Sequence, residues 1–390
     1  MRFVQFSDVH LDSVIGGALG LPDAKRAELR DDIRRAAVRA CALARDRAVD
    51  LVLIPGDVFD YEGVSSDTVS FLLNLFHGLD PIPIFIAPGN HDSLRPGSPY
   101  LPTSGVEWPA NVHVFISGEF ETVEINGADC AVTGIAHAHR GITDRLLAHP
   151  VPRSESKINV LLFHGSREGY RPSEKENVIP FSDEELAAQG FTYAAVGHYH
   201  SFQRITDGDG RVIGAYSGCV QGRGLDETGE KVAVFGEIDA GLRVSLEAVE
   251  VSQRRIVAVE VDLTGASSAP SALGRVERAI AESGAREEDI LSVSLHGTLA
   301  AQAEFDVSTL ERSTRHFHVR VSRSKLRPDY DLEALAAESA AAPLRSAFVK
   351  RMLDLKQAAR DPDEAAVLAD AVYYGLSALE GRPPEPRDAD

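Results

Sequence analysis

Cysteine is scarce in this chain. Cys41, Cys130 and Cys219 are the only three among 390 residues, far apart and without metal-ligand spacing. That excludes a disulfide framework and a zinc-thiolate site. Long apolar runs are missing too. The longest, Pro81–Pro88 and Val160–Phe163, have strand length, well short of the ~20 residues that a membrane span needs. No basic stretch followed by an apolar one opens the chain, because strand-like residues start at Arg2 and reach Asp8 at once. A cytoplasmic location with no membrane partner is the expectation. Positive charge is also in deficit: 59 acidic residues against 40 basic ones leave a net charge of −19. Residues 1–250 carry −14 of this and residues 251–390 only −5. Such a surface excludes indiscriminate nucleic-acid binding, since phosphate contacts need Lys and Arg. It leaves room for a nucleic-acid enzyme that relies on bound divalent cations and one local basic patch.

What is present is ordinary for a globular protein, with 44% hydrophobic and 25% charged residues, and the length suits two domains. The first third alternates strand and helix. Arg2–Phe6, Leu51–Ile54 and Ile82–Ala87 read as strands, and Ala27–Ala48 and Ser65–Leu79 carry apolar residues at helical spacing. This rhythm predicts a partly parallel layered sheet with helices on its face. From about Asn111 the pattern is strand-rich, with Val112–Ile116, Glu121–Ile125, Cys130–Ile135, Ile158–Phe163, Thr192–Val196, Arg211–Ala215, Val232–Ile238 and Arg243–Val249. A mixed α/β sandwich fits better than a barrel. Near Ser252–Arg255 the organisation changes. Strands are expected at Ile256–Leu263, Ile290–Leu295 and Phe317–Val321, and helices at Ser271–Glu282, Leu344–Ala358 and Asp363–Leu379. The expected division is 1–252, an α+β region 253–330, a helical region 331–380 and a disordered Pro-rich tail 381–390.

Five short stretches place metal-ligand residue types just after an apolar strand. They are Asp8-Val9-His10, Gly56-Asp57, Gly89-Asn90-His91-Asp92, His164-Gly165 and Gly197-His198-Tyr199-His200. Strand ends are where loops converge over a rigid scaffold and a crevice forms. Each stretch alone is weak, because an isolated Gly-Asp is more often a turn and a lone histidine more often structural. Together, imidazole and oxygen ligands without thiolate suit manganese, iron or zinc rather than calcium.

In this order the set resembles the signature of the calcineurin-like metallophosphoesterases. The resemblance implies an α/β layered fold, a β-sandwich flanked by helices, carrying a dinuclear metal site. It implies that Asp8, His10, Asp57 and His200 hold one divalent ion, and that Asp57, Asn90, His164 and His198 hold the other, with Asp57 bridging. Manganese is the expected metal, with iron, zinc or magnesium as alternatives. His91 matches the catalytic histidine that is not a ligand, and would assist attack of activated water on phosphorus. Asp92 either orients His91 or caps a helix. Asp12 and Asp60 lie near the ligands, as supporting groups or as solvated loop carboxylates. His137 and His139 are expected to form a hydrogen-bonded surface pair.

The segment Tyr216-Ser217-Gly218-Cys219-Val220-Gln221-Gly222-Arg223, followed by Glu227 and Gly229, resembles the one after the last metal histidine in SbcD-type DNA-repair exonucleases, most closely the bacterial YhaO-like branch. Cys219 stands where that pattern has Ser. A DNA phosphodiesterase is therefore the leading expectation, with Arg223 contacting phosphate. The resemblance also implies an SbcC-type coiled-coil ATPase as partner and a homodimer. The appended C-terminal capping region has one basic run, Arg312 to Arg327, without an acidic residue. Arg320 and Arg323 within it are candidate DNA contacts, against the alternative of a charge-protected edge strand. Two other readings stand beside the nuclease: a small-molecule phosphodiesterase or phosphatase, which the acidic surface favours, and a non-catalytic scaffold for the ATPase.

Overall fold

The computed structural model describes residues 1–390 except 16, 62–63, 126, 171–175, 301–302, 339–342 and 382–390, so most of the expected tail lies outside the described residues. The chain divides into two compact units, Met1–Ile256 and Val257–Asp390.

In the first unit, β1 (Arg2–Gln5), α1 (Asp23–Asp46), β2 (Leu51–Ile54), α2 (Ser66–His77), β3 (Ile84–Ile86) and β4 (Val112–Val114) form the alternating third that periodicity predicts. Then come β5 (Glu121–Glu124), β6 (Cys130–Gly134), β7 (Ile158–His164), α3 (Asp183–Ala188), β8 (Tyr193–Gly197), β9 (Gln203–Thr206), β10 (Val212–Tyr216), β11 (Val232–Ile238) and β12 (Val244–Glu250). Two six-stranded sheets result, ordered β12-β11-β1-β2-β3-β4 and β5-β6-β7-β8-β10-β9. β1 to β4 are mutually parallel, as are β6, β7, β8 and β10, and antiparallel strands occupy the flanks.

The sheets face each other across one core. Phe3, Leu51, Leu53 and Phe85 of one sheet meet Val132, Leu162, Tyr193 and Ala195 of the other. Strand side chains alternate between faces, so Val4, Val52 and Ile54 are buried on the opposite face. α1 packs against β1 and β11, and its buried stripe is Leu29, Ile33, Ala36, Ala37, Ala40, Cys41 and Ala44. α2 starts at a capping box in which the Ser65 and Thr68 side chains each bond the other's backbone N–H, a pairing that satisfies two donors with no partner inside the helix. Gln5 lies fully buried between the sheets, donating to the carbonyls of Val196 (3.3 Å) and Ala215 (2.9 Å) and accepting from the Tyr193 hydroxyl (2.5 Å). A buried amide so satisfied specifies how the layers dock.

The second unit holds β13 (Ile256–Asp262, whose first residue closes the first unit), α4 (Ala269–Glu282), β14 (Ile290–Leu299), α5 (Val307–Ser313), β15 (His318–Pro328), α6 (Leu332–Ala337), α7 (Pro343–Gln357) and α8 (Pro362–Leu379). Its sheet runs β13-β14-β15. Val349, Met352, Val372 and Leu376 form a small core between α7 and α8. β15 extends to Pro328, so Arg323, Lys325 and Arg327 of the basic run lie within the strand rather than after it. The Glu311 carboxylate of α5 accepts the Val321 N–H at 3.1 Å. No helix among the described residues is long and apolar enough to cross a membrane.

Candidate metal centre

The parallel strands bring the motif loops together. β1, β2 and β3 end just before Asp8, Asp57 and Asn90, β7 ends on His164, and β8 ends just before His198. β10 lies beside β8 and adds the loop Ser217–Glu227. Asp8, His10, Asp57 and His198 all have positive φ (50°, 46°, 53° and 111°), as does Asp12 at 57°. Left-handed backbone is costly for residues with a side chain and gathers at functional sites. Close approach explains the glycines. A Cβ on Gly197 would lie 1.8 Å from the Pro55 carbonyl, and one on Gly89 would lie 2.4 Å from Asp57 Oδ1.

Asp57 is central in the cluster. Its Oδ1 accepts the His91 N–H at 2.9 Å, while Oδ2 is 3.3 Å from His164 Nε2 and 3.7 Å from His10 Nε2. Asp8 lies opposite, accepting the His198 N–H at 3.1 and 3.2 Å and the Ser7 hydroxyl at 2.5 Å, with His200 Nε2 3.6 Å away. One ligand atom each from Asp8, His10 and His200, and one each from Asp8, Asp57 and His164, lie within 4.8 Å of one another. Asn90 donates to Glu176 Oε2 at 3.1 Å. The His198 ring stands 5.1 Å from that of His164 and donates from Nε2 to the Glu176 carbonyl at 2.8 Å.

The residues fit a divalent cation. His10 Nε2, His164 Nε2 and Asn90 Oδ1 are buried without a hydrogen-bond partner, a condition native interiors avoid unless a ligand or ion completes it. Burial, followed by the charge of Arg223, holds His10 down at about 4, so its imidazole is neutral and carries a lone pair. Burial opposes charge on His164 too, but Asp57 and Asp8 outweigh it and push that imidazole up to about 9. The cluster thus attracts positive charge at the position where a metal would sit.

His91 is apart from these ligands, on the rim, its side chain 32% exposed. Its Nδ1 lies 2.9 Å from Asp60 Oδ1, the same oxygen that lies 2.8 Å from His10 Nδ1. Burial opposes both charges, yet the two imidazoles hold Asp60 far below the usual carboxylate range, and Asp60 with Asp57 raises His91. Asp92, expected beside His91 or as a helix cap, is put to another use. It is fully buried and accepts the N–H groups of Gly89 (2.6 Å), Asp57 (3.1 Å) and Val58 (2.8 Å) and the Tyr100 hydroxyl (2.9 Å). It binds the β2 and β3 loops together, and Asp60 is the carboxylate in contact with the His91 ring.

Other expectations resolve similarly. Asp12 takes a bidentate contact from Arg34 (2.9 and 2.6 Å) and the Thr68 hydroxyl, anchoring its loop to α1 and α2. Arg223 lies at the site but directs its guanidinium to Ser13 (3.1 Å) and Glu227 (3.3 Å). Gln221 bonds the Arg254 carbonyl and the Gln253 N–H. His137 is no surface residue: it is fully buried, its ring 5.7 Å from that of His164, and Nε2 donates to the His164 carbonyl at 2.8 Å. No spacing signal marked it. Arg320 is exposed and Arg323 half-buried on β15 of the second unit.

The model of the calcineurin-like phosphoesterase family matches residues 1–202. A relative named as an uncharacterized metallophosphoesterase, YhaO of Bacillus subtilis (strain 168), is 29% identical over 239 residues, 59% of this chain and 56% of that protein. The chain therefore spans little more than half of that relative's length. Similar solved structures include a dimetal phosphatase from Danio rerio, with 12% identity over 64% of this chain and 96% of that one at a TM-score of 0.40. Another is the protein TT1561 of Thermus thermophilus, with 15% identity over 64% and 98% at a TM-score of 0.38. The matched residues run past His200 and take in all five converging motif loops, so the chain belongs to the calcineurin-like phosphoesterase family.

Proposed function

We propose that this protein is a metal-dependent phosphodiesterase that cleaves DNA, in the manner of SbcD-type repair exonucleases. The observation that carries the hydrolytic reading is the rim position of His91, partly exposed beside a buried ligand cluster with its Nδ1 2.9 Å from Asp60 Oδ1. A diester expels an alkoxide, whose departure needs a proton, and a positioned acid of this kind contributes about 10²–10⁴-fold. Asp8, His10, Asp57 and His200 would hold one ion, and Asp57, Asn90, His164 and His198 the other, manganese being the expected metal. Two such ions supply a Lewis-acid clamp for the phosphoryl oxygens and a water acidified to near neutral pH. Asp57 keeps the halves of the site in register, and its Oδ1 fixes the His91 backbone. Asp60 then keeps the His91 proton at Nδ1 and the ring turned to the rim.

DNA as substrate rests on the Tyr216–Gly229 segment and on the basic run of β15. An SbcC-type ATPase partner and self-association belong to the same proposal. Leu344, Val367 and Leu379 of α7 and α8 are exposed apolar residues that such a partner would cover. The net charge of −19 favours a small-molecule diester as the second reading. One experiment separates them. Metal-stripped protein is restored with manganese and given end-labelled duplex, single-stranded DNA and bis-p-nitrophenyl phosphate, alone and with the purified ATPase. Manganese-dependent shortening of DNA, abolished in Asp57→Asn, is the expected result. Turnover of the small diester with DNA left intact in every arm defeats the nuclease reading.

A further inference from the structure

The loop after β10 carries a buried carboxylate that the proposed reaction does not use. Glu227 is 6% exposed. Its Oε2 accepts the Arg223 N–H at 2.6 Å, and its Oε1 lies 2.5 Å from His200 Nδ1 and 3.3 Å from an Arg223 guanidinium nitrogen. We propose that Glu227 is a positioning residue for the metal ligand His200, fixing its tautomer and the direction of its Nε2, and so setting the affinity of one of the two metal subsites. This rests on the metal-dependent reading above and deepens it.

Three observations carry the inference. An ionised carboxylate only accepts hydrogen bonds, so the contact to His200 places the proton on Nδ1 and the lone pair on Nε2, the atom that faces Asp8 Oδ1 at 3.6 Å. Two other histidines of the cluster are arranged alike. His10 Nδ1 is held by Asp60 at 2.8 Å and His164 Nδ1 by the Pro55 carbonyl at 2.9 Å, and each turns Nε2 toward Asp57. The same loop also grips the backbone of His200, whose carbonyl receives the Cys219 N–H at 3.4 Å and the Lys231 ammonium at 3.3 Å. Ring and backbone of one ligand are therefore both set by residues 219–231. Arg223, which contacts Glu227 twice, holds the carboxylate in place rather than competing for it. Removing a carboxylate that supports a ligand histidine lowers metal affinity by about 10- to 100-fold.

The test is manganese titration of the metal-stripped full chain by calorimetry, comparing wild type with Glu227→Ala, Glu227→Gln and His200→Ala. Glu227→Ala is expected to weaken one of two binding events by about 10- to 100-fold, the event that His200→Ala eliminates, with the other unchanged. Glu227→Gln, which keeps an acceptor oxygen, should recover part of the loss. An unchanged isotherm in Glu227→Ala, or equal weakening of both events, overturns the proposal. Because Glu227→Ala leaves Arg223 buried without its partner, a second measurement avoids variants altogether. The ¹⁵N shifts of His200 in the metal-free wild type should report the Nδ1–H tautomer, and an Nε2–H ring overturns the assignment. If manganese binding depends on Glu227 as expected while DNA stays intact, the nuclease reading fails and this one stands.

Discussion

One carboxylate oxygen, Asp60 Oδ1, lies within hydrogen-bond reach of both a candidate ligand and the rim histidine. Asp60 therefore contacts the buried cluster and His91 through one atom. The sign of the pH effect follows from the directions of the shifts. Burial opposes the charge on His91, but Asp60 and Asp57 outweigh it and raise the group, so its proton is held to higher pH than in a free imidazole and is removed as the pH rises. An activity that needs that proton declines on the alkaline side. Replacing Asp60 with Asn removes the charge that holds the proton, so the alkaline limb of the kcat/KM profile should move to lower pH. His91→Ala should lower kcat by about 10²–10⁴-fold and leave the manganese stoichiometry unchanged. An Asp60→Asn profile superimposable on wild type would remove Asp60 from its orienting role. The candidate ligands stand out by residue type at strand ends. The double contact of Asp60 does not, because a carboxylate three residues past Asp57 serves a turn equally well until the β1 and β3 loops are seen against it.

At the scale of elements, the site exists because loops from neighbouring parallel strands are tied to each other and not only to their own strands. Asp92 makes the main tie between the β2 and β3 loops, with three backbone donors and the Tyr100 hydroxyl. Burial and the nearby Asp57 charge push its carboxyl up to about 6, against the pull of those donors. Asp92→Asn brings an NH2 group to donors that need an acceptor, and each buried group left unsatisfied costs about 1–3 kcal/mol. The expected outcome is a loss of that order in urea denaturation, together with weaker manganese binding and an unmoved pH profile. A pH profile that shifts with Asp92→Asn would return it to a role at His91. Long elements with several periodic positions were legible, α1 and α8 among them. The short ones, α3, β9, α5 and α6, were not, because four to seven residues offer too few positions for a period to show. His137 escaped for a related reason: two histidines spaced by one residue suggest an exposed pair, and only packing against His164 at the end of β7 buries one of them.

For the whole molecule, charge is the decisive quantity. The chain is strongly acidic, so a DNA substrate requires a local basic surface, and β15 carries the densest run. Arg320→Glu combined with Arg323→Glu should reduce cleavage of long DNA, more so at low salt, while turnover of bis-p-nitrophenyl phosphate stays at the wild-type rate. Equal loss on both substrates would assign these residues to stability alone. The amino-acid sequence by itself determined the layered α/β class and the metal-ligand residue types at the strand ends, because strand period and residue chemistry are local properties. Tertiary structure alone decided which carboxylate serves which histidine. Asp60, Asp92 and Glu227 all sit in loops, where no period constrains side-chain direction. Their partners lie from three to 50 residues away in the chain, and it is the parallel pairing of neighbouring strands within each sheet that brings those loops within hydrogen-bond distance.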